Sequence, residues 1–100
     1  MVGKLVRDKI PEIIRNSGKV PFIHIADNEE YWKKLKEKLK EEVNEFLEES
    51  TAEELADILE VIYAICDFLR IDKSYIEEIR RRKRKERGGF TKRIILDNVK

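Results

Sequence analysis

A single cysteine, Cys66, rules out an internal disulfide and cannot build a zinc site, which makes the cytoplasm the default compartment. No apolar run approaches the ~20 residues of a membrane span. The opening Met1-Val-Gly-Lys-Leu-Val-Arg-Asp lacks the hydrophobic stretch of a signal peptide, so a membrane is not an expected partner. Charge of one sign is also missing: the formal net charge is +1, too small for a global field that would draw the chain to nucleic acid. Glutamine is absent and methionine occurs once, while charged residues make up 43% of the chain; the pattern leans towards a thermophilic source with surface ion-pair networks. One hundred residues provide one domain, residues 1–100, and a modest core.

What is present reads as mostly helix. Residues 8–16 form a short helix, with Pro11 tolerated in its first turn and Gly18 as its stop. Residues 20–25, Val-Pro-Phe-Ile-His-Ile, read as a short strand that Pro21 restricts to an edge or a start. Asp27 or Asn28 caps a long helix running to about residue 49. Thr51-Ala-Glu-Glu54 is a capping box that opens a second long helix, to about residue 69. Asp72 caps a third, which stops at Gly88-Gly89. Residues 92–97 read as a final strand pairing with residues 22–25. The expected fold is therefore mainly α, a helical bundle with a small two-stranded β appendage.

The second long helix points to assembly. Leu55, Ile58, Leu59, Ile62, Ile65, Cys66 and Leu69 cover one face, and Val61, Tyr63 and Phe68 extend the apolar cover beyond it. A helix apolar on most sides must be buried on most sides, which three main helices of one chain cannot do. Helix pairs from two or more chains in one bundle solve the problem, so a homo-oligomer is expected, a dimer or a tetramer.

The chemistry lies in two carboxylate pairs, Glu42/Glu45 and Glu54/Asp57. A three-residue step turns roughly 300° around a helix, so each pair shares a face. On the first long helix Trp32, Leu35, Leu39, Val43 and Phe46 mark the buried stripe. Glu42 lies roughly 60° and Glu45 roughly 120° from its centre, and Glu54 and Asp57 fall at the same offsets on the next helix. Antiparallel packing brings these flanks to one groove, with Glu49 on the same side as a fifth candidate ligand. Four converging anions repel one another unless cations offset the cost, and oxygen-only ligands point to Mg²⁺ or Mn²⁺. Two roles compete for Glu54: in a capping box its side chain reaches back to the Thr51 N–H.

Glu42-Val-Asn-Glu45 followed by Glu54-Leu-Ala-Asp57 resembles the paired ExxE and ExxD motif of the all-α nucleoside triphosphate pyrophosphohydrolases, the MazG-like superfamily that includes phosphoribosyl-ATP pyrophosphohydrolase and dimeric dUTPases. The segment Lys4-Leu-Val-Arg-Asp-Lys-Ile-Pro11 and the closing Glu86-Arg-Gly-Gly-Phe90 resemble the framing of one small branch of it. The resemblance implies a multi-chain helical bundle, Mg²⁺ dependence, and cleavage of a nucleoside triphosphate between its α and β phosphorus atoms. Glu42, Glu45, Glu54 and Asp57 would be the metal ligands. Eight residues separate Glu45 from Glu54, fewer than in many relatives, which bears on the base pocket rather than on the metal site.

Hydrolysis of a phosphoanhydride needs charge neutralisation and an aligned, activated water. Glu45 or the neighbouring Glu41 is the candidate general base. In the basic run at residues 80–87, Lys83 and Arg87 stand four apart on one face as candidate phosphate ligands, the rest being a solvated helix end. Arg7 and Lys9 are open between substrate binding and structure. His24, without a second His or Cys nearby, reads as structural; Trp32 reads as core, Gly88-Gly89 as a helix stop and Asp67 as solvated. The sequence thus leads to a Mg²⁺-dependent enzyme giving a nucleoside monophosphate and pyrophosphate, with removal of non-standard nucleotides as its role. Phosphoribosyl-ATP pyrophosphohydrolase activity, a nucleic-acid-binding module on residues 80–87 and a helical interaction protein are the alternatives. The basic run is short and the net charge near zero, so nucleic acid is not an expected partner.

Overall fold

A computed structural model describes residues 3–100; the first two residues of the chain lie outside it. The architecture is all-helical: α1 (Ile10–Asn16), α2 (Asn28–Glu48), α3 (Ala52–Leu69) and α4 (Lys73–Arg87). Each boundary has a local cause. Asp27 Oδ1 accepts the Glu30 N–H at 2.9 Å and starts α2. Thr51 Oγ1 accepts the Glu54 N–H and starts α3. Asp72 Oδ1 takes both the N–H and the hydroxyl of Ser74 at the head of α4, and this holds its carboxyl below the usual carboxylate range. Gly18, at φ +88°, closes α1: its N–H reaches Arg15 O while the Lys19 N–H reaches back to Ile14 O. The same pair of bonds closes α3 around Arg70, which adopts the left-handed region at φ 56° without being glycine.

α2 and α3 form an antiparallel hairpin across a short turn. At its open end Trp32 stacks on Phe68 with centroids 5.4 Å apart, and Tyr31 meets the same ring edge-on at 5.5 Å. Trp32 is therefore part of the hairpin's packing, as its place on the apolar stripe suggested. Leu35, Val61 and Cys66 are the buried apolar residues among those described, and Glu42 is the buried charged one.

One sequence expectation changes, the β appendage. Residues 20–25 and 92–97 form no strand, and no strand occurs among the described residues. Phe22 is 96% exposed, and Ile25, Ile94, Ile95 and Leu96 are nearly as open. β-branched residues favour a strand only when a partner and a covered face exist, and a lone two-stranded ribbon is marginal in water. Pro21 removes one of the few donors such a ribbon would have. The apolar surface of α3 is not fully used within the chain, as its all-round apolar cover implied: Leu55, Leu59, Tyr63 and Leu69 are exposed, as are Val43 and Leu47 of α2.

The chain is accordingly extended. Its radius of gyration is 18.0 Å, against about 13 Å for a compact domain of this length. Its accessible surface is 9372 Å², against roughly 6,000 Å² for a compact monomer of 12.0 kDa. No described helix is long and apolar enough to cross a membrane.

Candidate metal centre

The hairpin turn puts the late part of α2 beside the first turns of α3, and there the carboxylates meet. One oxygen each of Glu42, Glu54 and Asp57 lie within 4.8 Å of one another. Glu42 is only 7% exposed, and Glu54 and Asp57 are half-buried. Glu45 is exposed, lies close enough to Glu42 and Glu54 to perturb both, and lines an open groove with Glu48, Glu49 and Glu54. The wheel placement of all four acids on one flank is thus reproduced, with three in close convergence and the fourth at the mouth.

Glu54 is free for this site. The Thr51 N–H that its side chain would serve in a reciprocal capping box is bonded at 2.8 Å to Glu49 O instead. The cap therefore uses only the Thr51 hydroxyl, and the Glu54 carboxylate turns to the acidic cluster.

The electrostatics are those of a site short of cations. Burial pushes the Glu42 carboxyl above its ordinary range, Lys38 partly opposes this, and Glu45 adds to it. Glu54 is raised by desolvation first and then by the charges of Asp57, Glu42 and Glu49. Glu42 Oε2 and Glu54 Oε2 are both buried and lack a hydrogen-bond partner. An unpartnered buried carboxylate oxygen costs about 1–3 kcal/mol or more, so two in one cluster need an explanation. A divalent cation supplies one: carboxylate oxygens converging from three side chains can share one hexacoordinate ion such as Mg²⁺. The donor set of carboxylates alone suits a hard ion. The residues present fit such a group.

Three basic side chains stand around the cluster. Lys38 Nζ lies 3.3 Å from Glu42 Oε1 and 3.6 Å from Glu41 Oε2. Lys4 pairs with Glu41 from the N-terminal segment. Arg7 Nη2 donates to Asp57 Oδ1 at 2.7 Å, across fifty positions of sequence. The sequence left Arg7 open; a pairing that depends on the path of an irregular segment carries no periodic signal. Glu41, on the far side of the α2 stripe, is clamped by Lys4 and Lys38: burial raises its pKa, but the two cations outweigh that and lower it.

The other candidates lie elsewhere. Lys83 and Arg87 are exposed near the end of α4 and make no ion pair with the cluster among the described residues. His24 Nε2 donates to Glu30 Oε1 at 2.8 Å, a local tie rather than a ligand position. Asp67 is exposed and faces Lys73 at 3.7 Å.

Comparison with known proteins adds a short match. An uncharacterized protein of Mycolicibacterium smegmatis is 49% identical over 37 residues, which is 37% of this chain and 38% of that relative's length. No family model and no solved structure matches the chain.

Proposed function

We propose that the chain is a Mg²⁺-dependent nucleoside triphosphate pyrophosphohydrolase, cleaving a nucleoside or deoxynucleoside triphosphate to the monophosphate and pyrophosphate. The observation that carries this reading is the buried Glu42 carboxylate, one oxygen of which has no partner, held against Glu54 and Asp57. Its companions are the paired ExxE and ExxD spacing in the sequence and the groove that opens from the cluster past Glu45 and Glu49.

Glu42, Glu54 and Asp57 would hold the cation, with Glu45 at the open edge. A divalent ion bound there supplies charge neutralisation to phosphate oxygens and acidifies water. Glu45 is the better general base of the two sequence candidates. It is exposed at the groove, whereas Glu41 is neutralised by two lysines that make its carboxylate a weaker proton acceptor. Lys38, on Glu42, stands beside the cluster as a fixed positive charge for the developing charge on the phosphates.

Assembly belongs to the same reading. The surface in excess of a compact monomer is roughly 3,400 Å² per chain, ample for an obligate interface. The open faces of α3 and the apolar residues of 20–25 and 90–99 would be covered by a second copy, which would also bring a partner's α4 with its Lys83 and Arg87 within reach of a groove. Removal of non-standard nucleotides is the role this reading assigns to the activity.

The test is pyrophosphate release from a panel of canonical and damaged nucleotides, with phosphoribosyl-ATP included, in the presence of Mg²⁺. Turnover that Glu42→Ala and Asp57→Ala abolish while circular dichroism stays native supports the assignment. Full activity in either variant rejects it.

A further inference from the structure

Residues 3–9 cross the hairpin as an irregular strap immediately before α1. Little apolar contact holds the strap down: Leu5 is half-buried, while its neighbours on either side are exposed. What ties it to the hairpin is charge. Lys4 reaches Glu41 on α2, and Arg7 reaches Asp57 on α3. A turn closed by the Ile10 N–H to Arg7 O, at 3.0 Å, fixes where Arg7 leaves the strap.

This arrangement gives Arg7 two incompatible neighbours. Its guanidinium is the counter-charge of Asp57, as Lys38 is of Glu42; Glu54 has no basic partner among the described residues. Once a divalent ion takes the Asp57 carboxylate, positive charge arrives beside the guanidinium and the carboxylate's charge is spent on the ion. The guanidinium, which is exposed, is then free to take another anion within a side-chain length. A planar fork of N–H donors matches a phosphate group bidentately, and a phosphate that shares the cation would lie in that radius.

We propose that Arg7 is a phosphate-binding residue of this site, stored on Asp57 in the free chain and transferred to a substrate phosphate when the cation binds. The inference rests on the reading of Glu42, Glu54 and Asp57 as a cation site. It assigns to the strap a role that the sequence left open, and it places a phosphate ligand in the same chain as the carboxylates, independent of Lys83 and Arg87.

The two positions of Arg7 have opposite consequences for two ligands, which no purely structural brace would produce. The chain is titrated with Mn²⁺ alone, and then with inorganic pyrophosphate at saturating Mn²⁺, by calorimetry. Arg7→Ala is expected to bind Mn²⁺ alone a few-fold more tightly, because no internal cation competes for Asp57. The same variant is expected to bind pyrophosphate about tenfold or more weakly, the range for loss of a charge-assisted hydrogen-bonded pair. Arg7→Lys keeps the charge and the strap but not the fork, so its Mn²⁺ affinity stays near that of the parent while pyrophosphate binding falls at least threefold. Unchanged pyrophosphate affinity in Arg7→Ala overturns the proposal, and so does a parallel loss of both affinities. Should Arg7→Ala fail to fold, parental pyrophosphate affinity in Arg7→Lys overturns it equally. Absence of saturable Mn²⁺ binding by the parent chain would instead remove the underlying cation site, a failure seen before any variant is compared.

Discussion

Replacing Glu42 by glutamine separates the cost of the acidic cluster from its purpose. Glu42 is buried, has one unpartnered oxygen and faces Glu54 and Asp57. Glutamine preserves the shape, removes the charge and turns one acceptor into a donor that can reach neighbouring carboxylates. An unsatisfied buried oxygen costs about 1–3 kcal/mol. Against that gain stands the loss of the Lys38 partner at 3.3 Å, but Lys38 retains Glu41 at 3.6 Å. The net expectation is a metal-free chain stabilised by about 1 kcal/mol, or about 4–8 °C in melting temperature at this size. Metal should invert the order. A cation at a hundred times its dissociation constant adds about 2.7 kcal/mol to the parent, roughly 10–20 °C, and close to nothing to Glu42→Gln. Differential scanning calorimetry at fixed protein concentration, with chelator and with Mg²⁺, reads both. A variant less stable than the parent in chelator, or stabilised by Mg²⁺ as much as the parent, would refute the reasoning.

Other outcomes follow from the same structure. At micromolar concentration, sedimentation equilibrium should give at least twice the 12.0 kDa chain mass, since the monomer leaves Leu55, Leu59 and Leu47 exposed; a monomeric mass contradicts this. Arg70→Gly should stabilise the chain by about 0.5–1 kcal/mol in urea melts, because Arg70 occupies a left-handed cap that glycine adopts without strain. In chelator, Glu42 and Glu54 hold protons more tightly folded than unfolded, so they stabilise at low pH and their contribution is lost as pH rises above the ordinary 4.5. Melting temperature should therefore decline as pH rises above the ordinary carboxylate range, and Glu42→Gln should flatten the decline. Asp72 runs the other way: its lowered pKa gives stability present above the ordinary carboxylate range and lost as pH falls through it, so Asp72→Asn should soften acid unfolding.

The helices were legible because their ends are written in short-range chemistry. Asp27, Thr51 and Asp72 each bond a backbone N–H two or three residues on, and Gly18 supplies the positive φ that stops α1. Helical periodicity likewise put Glu42, Glu45, Glu54 and Asp57 on one flank, because wheel angle follows from sequence spacing alone. The two strands were misjudged for the converse reason. Residues such as Ile23 and Ile95 have strand propensity, but a ladder exists only where a second strand and a covering face are supplied. Whether Glu54 served the cap or the cluster also lay beyond the wheel, since it turned on the Thr51 N–H finding Glu49 O in the turn. Arg7 was hidden for a similar reason: its contact with Asp57 joins a strap and a helix fifty residues apart.

The most direct measurement is a crystal of the chain soaked in Mn²⁺ and recorded at a wavelength where manganese scatters anomalously. The account predicts an anomalous peak enclosed by the carboxylates of Glu42, Glu54 and Asp57, with Arg7 moved off Asp57. A chain soaked to saturation with no peak among those three side chains would contradict it.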